Sequence, residues 1–264
     1  LDFEKFSYHL VWAREGSMTA QEEAGTAEYR AIYQQTLRDL TPLQKIEIAR
    51  KGDDSLKCAL CFDHDPHVII ALINSTGFGL AQARLVAAHH QRTEALEYLT
   101  RNPSFAGDHK VQMNLRRNPS TNALILSRLS RNKTLYQLYT LSSTQEVNER
   151  ATTQARAALR QKYERSSPEQ QAAFIIRTEG RCLRFFYKLG METETARLFE
   201  HHKFASFVLV RNLLSFPGLP PEVLRGMSRA PFIWRLQGFR RQILHHTNCP
   251  PDVRARGGFR SERK

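Results

Sequence analysis

The side chains best suited to metal, redox or nucleophilic chemistry in this chain are its 4 cysteines and 10 histidines. Cys58 and Cys61 form a C-x2-C pair, half of what a zinc or redox centre uses, whereas Cys182 and Cys249 stand far from it and from each other. A structural zinc site normally takes four thiolate or imidazole ligands, commonly as two close pairs. The run SLKCALCFD reads as a short helix, where i, i+3 spacing puts both thiols on one apolar face. The expectation is buried thiols, because a free cysteine packs as a small hydrophobe. Cysteines that build no disulfide framework also point to a reducing, cytoplasmic compartment.

The histidines include three doublets, His89-His90, His201-His202 and His245-His246. Neighbours on a helix diverge by about 100°, so a doublet cannot close on one metal from one face. His64 and His67 have convergent spacing, but Asp65-Pro66 lies between them and no third ligand is local. Carboxylate pairs such as Glu22-Glu23 and Asp53-Asp54 sit in polar surroundings that read as solvated helix ends. General acid–base work needs burial or a charge partner to move a carboxylate's pKa. Phosphate-cradling glycine loops, the zinc-protease motif and the nucleophile elbow do not occur, and Gly77-Phe78-Gly79 reads as a turn. No catalytic residue, metal ligand or cofactor is therefore assigned, and the sequence leans away from an enzyme.

The arginines remain. The chain has 264 residues and a formal net charge of +13. Residues 1–100 carry 10 Lys/Arg against 14 Asp/Glu, residues 101–188 carry 16 against 6, and residues 225–264 carry 10 against 2. Such asymmetry suits an acidic protein surface, a nucleic acid or a charged membrane. Hydrophobic residues make up 41% of the chain, an ordinary globular share that excludes collagenous and disordered classes. No run approaches the roughly 18 apolar residues of a membrane span.

The elements that must position these charges read as short helices. HKVQMNLRRNPS carries Val111, Met113 and Leu115 before Asn118-Pro119. TNALILSRLSRNKT carries Leu124, Ile125, Leu126 and Leu129 before Asn132. RTEALEYLTRNPS carries Ala95, Leu96, Tyr98 and Leu99 before Asn102-Pro103. Proline disfavours helical backbone at the residue before it, so each Asn-Pro is expected to break a helix. Arg-Asn recurs at 101–102, 117–118 and 131–132, and two segments make a unit of roughly 25–35 residues, the scale of an α-solenoid repeat. A longer polar helix is expected over 145–164 and a buried one over Phe204 to Leu214. Strand signals are nearly absent.

The stretches PGLPPEVLRGMS, NCPPDVRARG and RRNPSTNALILSRLSRN resemble the leucine-rich-repeat-variant and HEAT-like helical repeats of bacteria, over about residues 40–160 and more loosely 203–256. The resemblance implies an all-α solenoid of short stacked helices and a role in binding other proteins. It does not carry over the iron–sulfur cysteine cluster of some such proteins, since only Cys58 and Cys61 are close together. Nor does it carry over the His-Glu pairs of HEAT-like metal oxygenases, because the chain has no His-Glu dipeptide.

The organisation expected is an aromatic segment and capping helix at 1–40, repeat blocks at 41–165 and 166–256, and a basic frayed tail at 257–264. Phe3, Phe6, Tyr8 and Trp12 in the first segment either cover the open end of the stack or dock on whatever precedes Leu1. Stacked in register, Arg101, Arg117 and Arg131 form a ladder flanked by Lys110, Arg116, Arg128 and Lys133, able to hold phosphates or acidic side chains. Alternatively each cation caps the C-terminal end of its own helix. Arg225, Arg229, Arg235, Arg240 and Arg241 interleave with Phe232, Trp234 and Phe239, which either grip nucleic acid or supply core. The function expected is a non-enzymatic scaffold or adaptor that binds an acidic protein surface through a concave face and basic ridge. Nucleic-acid binding, with DNA-glycosylase-like chemistry, is the alternative.

Overall fold

The computed structural model describes residues 20–144 and 148–257, and among them every regular element is helical. The aromatic run at 3–12 and the tail at 258–264 lie outside the described residues. Two compact units divide the chain. The first comprises Leu1–Asn132 with Ser143–Ala155, and the second Lys133–Ser142 with Arg156–Lys264.

In the first unit α1 (Ala20–Ile32) runs into a π-helical turn (Tyr33–Leu37). It is followed by α2 (Pro42–Lys51), α3 (Asp54–Leu60), α4 (Pro66–Ile73), α5 (Leu80–His89), α6 (Thr93–Leu99), α7 (Pro103–Gly107), α8 (His109–Arg117) and α9 (Ala123–Arg131). Then come α10 (Leu135–Ser143) and α11 (Glu149–Glu164), whose residues from 156 onward belong to the second unit. That unit continues with α12 (Pro168–Arg177), a 3-10 turn (Arg181–Phe185), α13 (Thr193–Glu200), α14 (Phe207–Leu214), α15 (Pro221–Arg229), α16 (Pro231–Arg235), α17 (Gln237–His245) and α18 (Pro251–Arg256).

Capping chemistry sets where these helices begin. Thr41 and Ser167 form reciprocal capping boxes with Gln44 and Gln170. Asp53, Asp65, Asn102, Asp108 and Asn122 each accept from a backbone amide of the following turn, at 2.8–3.0 Å, which satisfies donors the helix cannot. Pro42, Pro66, Pro103, Pro168, Pro221, Pro231 and Pro251 occupy first helical positions. Proline's fixed φ suits that position and its missing amide costs nothing there. Asn102-Pro103 follows the end of α6 and starts α7, with Asn102 as its N-cap.

Helices this short are marginal alone in water, so burial holds them. Leu60, Ile69, Leu72, Leu96, Leu115 and Ile125 centre the first core, and Tyr29 and Ile32 of α1 pack against it. Leu159, Ile175, Phe186, Phe199, Leu213 and Phe216 centre the second.

A series of long-range polar contacts links successive stretches of the first unit. His90 Nδ1 lies 3.1 Å from the Asp63 carbonyl, 27 residues back. Asn118 Nδ2 donates to the carbonyls of His90, 28 residues back, at 2.9 Å and of Ala87 at 3.0 Å. Asn148 Nδ2 donates to the Asn118 carbonyl, 30 residues back, at 3.0 Å. At the head of the series Asp63 accepts from Tyr33 at 3.0 Å and pairs with Lys45 at 2.9 Å. Across α5 and α8, Arg84 grips Asp108 through Nε and Nη2, at 3.1 and 2.8 Å. The second unit repeats the device: Asn212 Nδ2 reaches the Glu179 carbonyl 33 residues back, and Asn248 Nδ2 the Leu219 carbonyl 29 residues back. There α13 and α15 touch at Gly226, where a Cβ would strike the Phe199 carbonyl oxygen.

Candidate functional site

The cysteines are all free and buried, as the spacing of Cys58 and Cys61 predicts for those two. Burial raises the pKa of each thiol: first for Cys58, with Asp54 adding to it, and well up for Cys61. Cys182 is pushed up to about 12, and burial likewise raises Cys249. Thiols of this kind stay protonated and poor as nucleophiles or ligands. Among the described residues no group of three or more His, Cys, Asp and Glu side chains is placed to hold a metal ion. The His89 ring packs on Phe62 at 5.0 Å while His90 turns to the Asp63 carbonyl, so this doublet does diverge.

The histidines shape stability instead. Because the Asp63 carbonyl accepts, His90 carries its proton on Nδ1, which leaves a buried Nε2 without a hydrogen-bond partner; His89 Nε2 is in the same state. Burial pulls both pKa values down, and Arg30 adds to the effect at His89. At His90 the Asp63 carbonyl, with the carboxylates of Asp63 and Glu94, opposes the shift, and His64 adds to it. With folded-state pKa values below the unfolded value near 6.5, the unfolded chain protonates first as pH falls. The stabilisation is therefore complete above about pH 6.5 and lost below it. Urea unfolding is expected to show a lower midpoint at pH 5.5 than at pH 7.5, with a flatter profile in His90→Gln. Equal midpoints in the parent protein would contradict this.

The arginines anticipated from sequence are dispersed in character. Arg101, Arg128 and Arg131 are exposed, and the Arg101 guanidinium lies 5.4 Å from the Tyr98 ring centre. Arg117 and Arg131 close α8 and α9, where a cation complements the helix dipole. Lys110, Arg117 and Lys133 are half-buried, and Lys133 belongs to the second unit. Arg116 is not the exposed flanking cation expected from the sequence. It is buried, donates to Gln112 at 3.2 Å, and desolvation pushes its pKa down to about 10. Together with Val111 and Leu115 it makes up the buried side of α8, which the composition of the basic block did not reveal.

In the C-terminal block Arg225 pairs with Asp252 at 3.3 Å and Arg229 with Glu200 at 3.1 Å. Arg235, Arg240 and Arg241 are exposed. Phe232, Trp234 and Phe239 are partly buried against the core, and Phe207 packs on Phe232 and Phe239 at 5.3 and 6.1 Å.

The densest meeting of arginines and rings lies elsewhere in the second unit. The Arg177 guanidinium sits 4.0 Å from the Tyr136 ring centre. Tyr136 lies 6.3 Å from Tyr139, which meets Phe185 edge-on at 6.1 Å. Arg184 and Arg156 lie over Phe185 at 4.8 and 5.7 Å, and Arg160 Nε donates to the Phe185 carbonyl at 3.0 Å.

No protein-family model matches this chain. Nor does any curated protein or solved structure show a significant match. The resemblance to leucine-rich-repeat-variant and HEAT-like proteins therefore has the all-helical, multi-helix architecture behind it and no relative. No described helix is long and apolar enough to cross a membrane.

Sequence reading missed the Arg177–Tyr136 and Arg156–Phe185 contacts because they join residues 41 and 29 positions apart. The only sequence signal was local: Arg156 and Arg160 at i, i+4 on one helix face, and Arg184 next to Phe185.

Proposed function

We propose that the chain is a cytoplasmic helical-repeat adaptor of the leucine-rich-repeat-variant or HEAT-like kind, acting by binding rather than catalysis, with an acidic protein surface as its partner. One observation carries the repeat reading. Polar side chains reach backbone carbonyls 27, 28 and 30 residues back at successive positions of the first unit, an interval on the scale of one α-solenoid repeat. Stacked repeats bury a shared apolar stripe and leave a broad face for a partner. In this reading exposed Arg101, Arg128 and Arg131 are the cations that meet the partner.

Fluorescence anisotropy with labelled deca-glutamate tests the reading. Binding that weakens as salt rises is expected, as is at least a fivefold loss in the Arg101→Glu, Arg128→Glu, Arg131→Glu triple variant. Absence of binding at 50 mM salt, or a triple variant that binds as the parent does, would count against it.

A further inference from the structure

From the run of arginines and rings in the second unit we infer a binding surface for single-stranded nucleic acid, built by Arg156, Arg160, Arg177 and Arg184 around Tyr136 and Phe185. This surface stands independently of any protein partner of the first unit.

The first argument is charge. The ion-paired carboxylates of the second unit are engaged elsewhere: Glu179 with Arg181, Glu194 with Arg197, Glu200 with Arg229 and Asp252 with Arg225. Arg156, Arg160 and Arg177 are exposed, and none of them pairs with a carboxylate among the described residues. Their partners are a ring, a carbonyl and a ring. Between residues 156 and 188, all in the second unit, the sequence has 8 Lys/Arg against 3 Asp/Glu, so the surrounding potential favours an anion.

The second argument is geometry. A guanidinium over a ring gives up one planar face and keeps its N–H edge for phosphate oxygens, where Arg binds in a two-pronged fashion. Its outer face remains a plane on which a base can stack. Half-buried Tyr136 and Tyr139 and buried Phe185, 6.3 and 6.1 Å apart in succession, form the floor beneath these guanidiniums. Two residues beyond Phe185, Tyr187 is 59% exposed, with its ring stacked on Phe216 at 5.8 Å. A ring supported on one face and more than half open to solvent is a platform for a base. A carboxylate-rich peptide would use the N–H edges and leave these planes idle, so nucleic acid is the better fit.

Anisotropy with fluorescein-labelled U12 and dT12 tests the inference, the two arms telling RNA from DNA. The parent protein is expected to bind at 50 mM salt and to lose affinity steeply by 200 mM. The Arg156→Gln, Arg160→Gln double variant is expected to bind at least tenfold more weakly, with a log–log salt slope shallower by about 1.4, from about 0.7 per phosphate contact. Arg177→Lys, which keeps the charge and loses the plane, is expected to weaken binding severalfold. Arg240→Ala, Arg241→Ala removes the same charge from exposed positions of α17, which carries none of these rings, and is expected to bind as the parent does. Circular dichroism and urea midpoints confirm that each variant is folded, and Arg156→Gln alone serves if the double variant is not. Three results would overturn the inference: no binding of either oligonucleotide at 50 mM salt, equal weakening in the control pair, or deca-glutamate binding to this surface where the oligonucleotides fail.

Discussion

Asn118→Ala is expected to destabilise the first unit by about 2–4 kcal/mol, because it removes two donated bonds and strands the groups they served. The side chain is buried; its amide reaches the Ala87 and His90 carbonyls, and its Oδ1 accepts from the Ser120 amide at 2.9 Å. Alanine leaves these three backbone groups to find other partners in a place water enters poorly. Asn118→Asp is expected to be at least as damaging, since a carboxylate cannot donate to carbonyls and would carry a buried charge. For a unit of this size the loss corresponds to roughly 6–12 °C in unfolding temperature, read by thermal circular dichroism. An unchanged melting temperature in both variants would show that these contacts contribute no stability.

Gly226→Ala is expected to do comparable damage in the second unit. In a helix interior alanine ordinarily stabilises relative to glycine by nearly 1 kcal/mol. Here the added methyl would lie 3.0 Å from the Glu200 Cα and closer still to the Phe199 carbonyl oxygen. These are backbone atoms that cannot swing away, so α13 and α15 must move apart. That separation would loosen Phe199, Leu224 and Met227, all fully buried, and strain the Arg229–Glu200 pair. Overpacking of this kind costs about 1–3 kcal/mol, outweighing the helix preference. Gly238→Ala in α17 is the matched control, with nothing within 4 Å of the new Cβ. It is expected to leave stability unchanged or raise it slightly, and urea midpoints of the two variants decide the comparison.

Much of the helical architecture was legible because it rests on local rules. Apolar spacing in ALILSRLSR ahead of Asn132 marks the helix found as α9 at Ala123–Arg131, and the polar run before Ser167-Pro168 becomes the long α11. The four residues 204–207 show the limit. Apolar character suggested a helix from Phe204, but Ser206 accepts from the Leu209 amide at 3.2 Å and the helix begins at Phe207. A hydroxyl able to cap outweighed the apolar residues before it. Asn118 illustrates a different failure. Its place before proline announced a break, yet nothing local says that its amide would bridge to carbonyls 28 and 31 residues back.

The arginines were the least legible, because their roles depend on what other helices bring beside them. Arg116 and Arg117 are neighbours in sequence, but one is buried and the other half-buried. Arg177 gave no local sign of Tyr136. Charge density identified the basic region 101–188, and only the packing of α10, α11 and α12 with the 3-10 turn showed which guanidiniums meet rings.

Hydrogen exchange of the parent protein and Asn118→Ala, followed by mass spectrometry under native conditions, tests the repeat architecture most directly. In a stack of repeats each unit leans on its neighbours, so loosening is local and fades with distance along the chain. Protection is expected to fall in peptides from α5, α6, α8 and α9, with little change in α2 and none in peptides spanning 168–257. A uniform loss of protection from α2 to α18 would contradict the account, because a single cooperative globule responds as a whole.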